Sequence, residues 1–381
     1  MDRRSDPPSI ERIGHPGGSP EGTNSTYVLP DRGLVLDPGP PRDASWTVLT
    51  EGLSAAGLSL ASIETVVVTH WHADHAGVAP RLAAEANAEL ILHDDDAPLV
   101  GEYGTQRGRR VERDVRRLRE WGVPDSVLAQ IKATDEPSPM PDRCPVRSVT
   151  DGERIDGVEF VHTPGHTAGH LAIEVGDALL LGDAVLPTYT PNVGGSDTRM
   201  DDPLSSYLRT LDEITRRFER LQGEWSTVRT LPGHGPTVEL PSRIETIRTH
   251  HAERLFDVVD ALSPSPSSAE GSSTAESTAA ADAADDDPDS ARDDPDRARD
   301  DDPDSARDDA RGRTPWAVAR ALFGEMTGIH AKMGAGEAAA HLRFAAEMGF
   351  TERVGTEPDR YVRTDTGLTE AAARRAVSSR Y

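Results

Sequence analysis

Cysteine is almost absent from this 381-residue chain, where Cys144 stands alone. A single cysteine excludes an intramolecular disulfide framework and any thiolate-based zinc ribbon, and it suits a reducing compartment. Lysine is nearly as scarce: Lys132 and Lys332 are the only two among 41 basic residues, so arginine carries almost all of the positive charge. Aromatic residues amount to 4%, and no run approaches the roughly 18–20 apolar residues that a membrane span requires. The opening Met1-Asp2-Arg3-Arg4-Ser5-Asp6-Pro7-Pro8 leads into no apolar segment of the secretory kind. The expectation is a soluble, cytoplasmic protein with no membrane partner.

Acid is abundant: 66 Asp and Glu against 41 Lys and Arg give a formal charge of -25. This acidic, lysine-poor composition is similar to that of proteins from salt-loving archaea, whose dense carboxylates stay hydrated while salt screens their mutual repulsion. The charge is unevenly spread. Residues 263–313 pass from Ser-Pro and Ala/Ser/Thr tracts into near-repeats of Asp-Pro-Asp-Ser-Ala-Arg, and Asp282 to Asp309 alone hold 14 Asp against 4 Arg. Such composition predicts a disordered acidic linker. It separates residues 1–262, a catalytic-size unit, from residues 314–381, where 11 basic and 8 acidic residues between 311 and 381 leave a small positive excess.

Before the linker, β-type runs at Thr26–Leu29, Gly33–Asp37, Thr65–Thr69, Glu89–His93, Val158–His162, Leu171–Val175 and Ala178–Leu181 alternate with helical patterns. The latter lie at Trp46–Ala56, Gly77–Ala86, Val111–Trp121, Leu204–Leu221 and Arg243–Leu262. A mixed α/β fold follows. After the linker, Thr314-Pro315 reads as an N-cap and first-turn proline, Gly336–Met348 as a second helix, and Phe350–Val354 with Arg360–Arg363 as a β-hairpin. Helices followed by a hairpin predict a small winged-helix unit.

The chemistry concentrates at predicted strand ends. Thr69-His70-Trp71-His72-Ala73-Asp74-His75 places three imidazoles and a carboxylate within six residues, poor material for a core and good ligands for zinc. Thr163-Pro-Gly-His166-Thr-Ala-Gly-His170, Leu181-Gly182-Asp183 and Leu231-Pro-Gly-His234-Gly235 each add a candidate ligand. Five of the 13 histidines fall on this pattern.

These motifs resemble those of the metallo-β-lactamase superfamily, over roughly residues 10–260 and in family order. The resemblance implies an αβ/βα sandwich with two zinc ions, or iron or manganese in their place, at one edge of the paired sheets. It assigns His70, His72 and His166 to one metal, Asp74, His75 and His234 to the other, and Asp183 to the bridge. Asp37, in Leu36-Asp37-Pro38-Gly39, would support the metal loop. Catalysis would then run through a hydroxide shared by the metals, with Asp74 and Asp183 as the catalytic carboxylates.

His170 reads as a buried supporting histidine, since the ligand roles are already filled. The loop Pro187–Met200 follows Asp183 and offers Tyr189, Asn192 and Arg199 as substrate contacts. Seven arginines between Arg107 and Arg119 form either a solvated helix face or a lid over an anionic substrate. Function classes that fit are an ester or thioester hydrolase similar to glyoxalase II, a single-stranded RNA endonuclease of the β-lactamase-like kind, a lactonase or β-lactamase, and a metal-dependent nucleic-acid-binding regulator. The strongly acidic catalytic part should repel a polyphosphate chain, which places small-molecule ester or thioester hydrolysis ahead of RNA cleavage.

Overall fold

A computed structural model describes residues 6–16, 22–263 and 311–378. Nearly all of the expected acidic linker lies outside the described residues. Six strands, β1 (Glu11–His15), β2 (Asn24–Leu29), β3 (Leu34–Leu36), β4 (Thr65–Val67), β5 (Glu89–His93) and β6 (Arg147–Val149), form one sheet in chain order. A second sheet has the order β11-β10-β9-β8-β7, with β7 at Arg154–Ile155, β8 at Val158–His162, β9 at Leu171–Val175, β10 at Ala178–Gly182 and β11 at Arg229–Pro232.

The pairs β3–β4, β4–β5, β5–β6 and β10–β11 are parallel, so each needs a crossover rather than a hairpin. Helices supply them: α1 (Asp43–Ala55), then α2 (Ala73–Ala76) with α3 (Ala79–Ala86), then α4 (Ala97–Gly101), α5 (Tyr103–Glu120) and α6 (Asp125–Thr134), and finally α7 (Pro203–Glu224). Helix α8 (Leu240–Asp260) closes this part of the chain.

Alternation along the strands builds the layers. Tyr27, Leu29, Leu36, Val67 and Ile91 meet Phe160, Leu171, Ile173 and Leu180 between the sheets. Their neighbours Val28, Val35, Val66, Leu90 and Leu92 face Leu49, Leu53 and Leu82 of the outer helices. On the other side, Leu179 and Leu181 pack under α7 and α8. The expected αβ/βα sandwich is therefore present.

After the linker come α9 (Pro315–Phe323), α10 (Gly328–Glu347), the hairpin of β12 (Thr351–Thr356) and β13 (Asp359–Arg363), and α11 (Glu370–Val377). Thr314 caps α9 by accepting from the Ala317 amide at 3.1 Å. These elements share a core with the sandwich: Val115, Leu118, Leu128, Ile131 and Val258 pack with Trp316, Val318, Ala338, Leu342 and Tyr361. Phe344, Leu368 and Val377 join the cluster of α7 and α8.

Helix α10 starts eight residues before the position that its sequence suggested. Gly334 and Gly336 both allow close packing: a Cβ on the first would lie 2.4 Å from Met326 Sδ, and on the second 2.3 Å from the Gly195 Cα. Other elements left no signal. Strand β1, with the sequence Glu-Arg-Ile-Gly-His, is too polar to be recognised, and β6 and β7 are only three and two residues long.

The shared core has a measurable consequence. Each large apolar side chain uncovered costs on the order of 1.5–3 kcal/mol, and losing several would exceed a typical net stability of about 5–15 kcal/mol. A chain ending at Ser263 should therefore unfold or aggregate instead of surviving as an independent sandwich. A cooperative melting transition of that fragment within a few degrees of the full chain's would contradict this.

Between α8 and α10, His251 Nδ1 donates to His341 Nε2 at 3.2 Å, while His341 Nδ1 donates to the Glu337 carbonyl at 2.8 Å. Both rings are neutral in this arrangement. Burial pushes His341 down to about 4 and His251 well below the ordinary range. Unfolded histidines titrate near 6.5, so between pH 6.5 and 4 the unfolded chain binds more protons and stability falls as pH falls. The slope is at most about 1.4 kcal/mol per pH unit per histidine. His341→Gln keeps an acceptor and removes a titrating group, so its melting temperature should depend less steeply on pH across this window.

Candidate metal centre

Within each sheet the loops that carry the expected ligands leave strands pointing the same way. Asp37 follows β3, His70 to His75 follow β4, His166 follows β8, Asp183 follows β10 and His234 follows β11. Carboxyl ends of parallel strands are where α/β sheets place their crevices, and here two such edges meet.

Three imidazole nitrogens converge first. His72 Nδ1 lies 3.0 Å from His70 Nε2 and 3.1 Å from His166 Nε2. The tautomers of the outer two follow from their other contacts. The Thr69 hydroxyl donates to Asp37 Oδ2 at 2.8 Å and so accepts from His70 Nδ1 at 3.0 Å. His166 Nδ1 donates to the Asn192 carbonyl at 3.1 Å. Both Nε2 atoms therefore present lone pairs toward His72, and one hydrogen on His72 could satisfy only one of them. A tetrahedral cation with nitrogen ligands at 2.0–2.1 Å has ligand–ligand edges of about 3.3 Å, close to the observed spacing.

A second group lies beside it. His75 Nε2 and His234 Nε2 are 3.2 Å apart, and Asp74 Oδ2 is 3.6 Å from the first and 3.4 Å from the second. Asp183 Oδ2 touches both groups, at 3.4 Å from His75 and His234, 3.8 Å from His166 and 4.0 Å from His70. Its Oδ1 is buried with no hydrogen-bond partner among the described residues. The donor set, the unpaired lone pairs and this orphaned oxygen fit two metal ions.

Electrostatics divide the cluster. Burial and neighbouring imidazoles push His70 well below its ordinary range and His72 down to about 3, so these two rings stay neutral. Burial also opposes charge on His75 and His234, but Asp183 and Asp74 outweigh it, raising the first well above the ordinary range and the second to about 10. Without metal, the carboxylates of the second group hold protons on its imidazoles. Metal binding must displace those protons.

The supporting residues act through hydrogen bonds. Asp37, in a left-handed conformation at φ 50°, accepts from the Thr69 amide at 2.7 Å and from His75 Nδ1 at 3.0 Å. His170 Nε2 accepts from the Asp183 amide at 3.0 Å, and its Nδ1 donates to the Thr163 hydroxyl at 2.7 Å. Gly233 must lack a side chain, because a Cβ there would lie 2.3 Å from Asp183 Oδ1.

Sequence reading missed two supports. Asn24 Nδ2 donates to the Asp74 carbonyl at 3.1 Å and to Asp74 Oδ2 at 3.2 Å, and nothing in its neighbourhood signals this. Asp96, fully buried at the end of an Asp-Asp-Asp run, accepts from the Trp71 amide at 3.2 Å, the Thr167 hydroxyl at 2.9 Å and the Gly169 amide at 3.0 Å. It also pairs with Arg199. One carboxylate thus ties together the loops that carry His70 and His72, His166, and residues 187–200.

The substrate contacts divide. Tyr189 and Asn192 line a cavity of ≈ 480 Å³ together with Trp71, His72, Asp74, His166, Asp183 and Arg110. Arg199, the third expected contact, is not among the residues that line it. Its Nε donates to both Asp197 oxygens at 2.9 Å and its Nη2 reaches Asp96, so two buried carboxylates already occupy the guanidinium. Most helix α5 arginines are also paired, Arg107 with Asp135, Arg117 with Asp201 and Arg119 with Asp125. Of the seven, Arg110 alone lines the cavity. Arg353 pairs with Asp359 on the hairpin, and Arg363 donates to the Ser263 hydroxyl at 3.2 Å.

Residues 18–217 match the family model described as the metallo-beta-lactamase superfamily. The chain is 29% identical over 253 residues to the probable metallo-hydrolase YqjP of Bacillus subtilis, spanning 64% of this chain and 76% of that protein. It is 23% identical over 250 residues to the atrochrysone carboxyl ACP thioesterase of Aspergillus fumigatus, spanning 64% of this chain and 44% of that one. Among solved structures, a metallo-beta-lactamase family protein from Thermus thermophilus superposes with a TM-score of 0.63 at 23% identity, covering 93% of this chain and 98% of the other. That likeness extends the shared fold beyond the sandwich.

The site predicts two metal ions per chain by elemental analysis, and fewer than one in Asp183→Ala. Asp96→Asn keeps the shape of the brace but weakens its charge-assisted bonds. It should lower metal affinity about 10- to 100-fold in chelator competition, the usual effect of losing a residue that orients ligands. Wild-type protein holding a single metal would overturn the paired site.

Proposed function

The chain belongs to the metallo-beta-lactamase superfamily and is a metal-dependent hydrolase; from that premise we propose that it cleaves small-molecule thioesters, or activated esters, with two zinc ions at the cluster. Iron or manganese would suit the same ligands. His70, His72 and His166 would hold one ion, Asp74, His75 and His234 the other, with Asp183 between them. When bound, the pair lowers the pKa of water toward neutrality and polarises an acyl carbonyl.

The observation that carries this reading is the cavity over the cluster. Its ≈ 480 Å³ falls within the range typical of small-molecule sites, and Trp71, Ile329 and Met333 give it an apolar wall. That wall would hold the acyl chain and exclude water, while Asp74 Oδ2, steadied by Asn24, would accept a hydrogen from the attacking water and so aim it.

The leaving group follows from what the cavity does not offer. Among the described residues, both histidines that line it belong to the cluster, which leaves no free imidazole there to protonate a departing oxygen. A thiolate, with a conjugate-acid pKa of about 8.5, departs without that help, whereas an ordinary alkoxide does not. The thioesterase relative named above is consistent with this choice.

The full-length, zinc-loaded protein should hydrolyse acyl thioesters of a simple thiol at least about 100-fold faster than the matching alkyl esters. Asp74→Asn should lower kcat by a factor on the order of 10²–10⁴, the range for a positioned proton acceptor. Cleavage of single-stranded RNA with no thioester turnover would refute the proposal.

A further inference from the structure

One of the two lysines lines the cavity of the metal cluster. Lys332, on α10, is 4% exposed, and its Nζ donates to Asp114 Oδ2 at 2.7 Å. Among the described residues Asp114 is its only partner, although an ammonium has three hydrogens to donate. A buried ammonium with unspent donors beside a cavity is costly unless something completes its shell.

Its surroundings carry a positive excess. Arg110 shares the same Asp114 oxygen at 3.1 Å and also pairs with Asp135, which in turn pairs with Arg107. The other Asp114 oxygen is taken by the Thr198 hydroxyl at 2.6 Å. Three cations therefore face two carboxylates. The Arg110 guanidinium carbon lies 5.5 Å from the Trp71 ring centroid, which brings this charge beside the metal loop. In a chain of net charge -25, a cationic group of this kind inside the catalytic cavity is not a consequence of composition.

A second hollow shares three residues with this cavity. Arg110, Ile329 and Lys332 also line this hollow of ≈ 150 Å³ between α5, α6 and α10, where Val111, Val115 and Ile131 stand beside Asp114, Asp135 and Lys132. Its cations outnumber its carboxylates, Arg110, Lys132 and Lys332 against Asp114 and Asp135, which suits a short chain that carries an anion.

We propose that Lys332, with Arg110, forms a subsite for a carboxylate on the acyl part of the substrate, so that the preferred substrate is the monothioester of a dicarboxylic acid. This rests on the thioesterase reading above. One excess positive charge matches a single carboxylate better than a phosphate dianion, which would leave negative charge uncompensated. Lys332 would act as a specificity residue and take no part in bond breaking.

The test compares acetyl and succinyl thioesters of N-acetylcysteamine on the full-length, zinc-loaded protein, with acetyl-coenzyme A as the case where the anion sits on the thiol side. The succinyl compound should show at least about tenfold higher kcat/KM than the acetyl compound, chiefly through KM. Lys332→Met should bring that ratio close to one, and Lys332→Arg should retain most of it. Equal rates for the pair, a ratio that survives Lys332→Met, or a preference that follows coenzyme A instead of the succinyl group would each overturn the proposal. A binding measurement separates it from the reaction assignment: succinate should raise the melting temperature more than acetate does in the wild type, and equally little in Lys332→Met. If neither thioester is hydrolysed yet this difference holds, the reaction assignment fails and the carboxylate subsite stands. If both thioester turnover and the succinate effect are missing, both fail. Should Lys332→Met not fold, the wild-type preference and the succinate effect still decide the matter.

Discussion

A single buried carboxylate, Asp183, organises the candidate metal centre. Its Oδ2 lies within 4.0 Å of four imidazole nitrogens drawn from three loops, and a buried anion is tolerated only when such partners surround it. The constraint runs outward through the backbone. The Asp183 amide must reach His170, Gly233 must have no side chain, and β10 must lie beside β11 so that His234 arrives from the neighbouring strand. The two sheets are held in register by what has to meet at this oxygen.

A second set of carboxylates works at one remove. Asp37 and Asp96 are both buried, and neither faces the cavity. Asp37 orients His75 directly and His70 through Thr69, while Asp96 collects amides and a hydroxyl from two ligand loops and is balanced by Arg199. Loops bearing metal ligands are otherwise the least constrained parts of an α/β fold, so fixing them with charge-assisted bonds lets the ligands be preorganised before any ion arrives.

The segment after residue 310 changes the meaning of the cavity. Ile329, Lys332 and Met333 come from α10, so part of the wall is built by residues distant in sequence from every ligand. The same helix presses Gly336 against Gly195, and Met333 against the loop that carries Asn192, whose carbonyl fixes the His166 tautomer. Cavity wall and ligand orientation are thus supported by one packing contact. In a chain so rich in acid, this packing also places one of its two lysines beside the histidine cluster.

Much of this protein is legible in its residues alone. Strand ends followed by His-x-His-x-Asp-His, Pro-Gly-His and Gly-Asp announce the cluster, because imidazole and carboxylate at that density have few other uses, and the short apolar runs of β4, β5, β9 and β10, alternating with helical patterns, announce the mixed α/β fold. Local pattern carries that information since ligand spacing and strand period are local properties. The partnership of Asn24 with Asp74, the brace at Asp96, the withdrawal of Arg199 from the cavity and the arrival of Lys332 in it are of another kind. Each joins residues separated by 50 to more than 200 positions, and a polar side chain carries no mark of its distant partner. Only the packing of α10 against α5, α6 and the 187–200 loop decides which charges are spent on structure and which remain for a ligand.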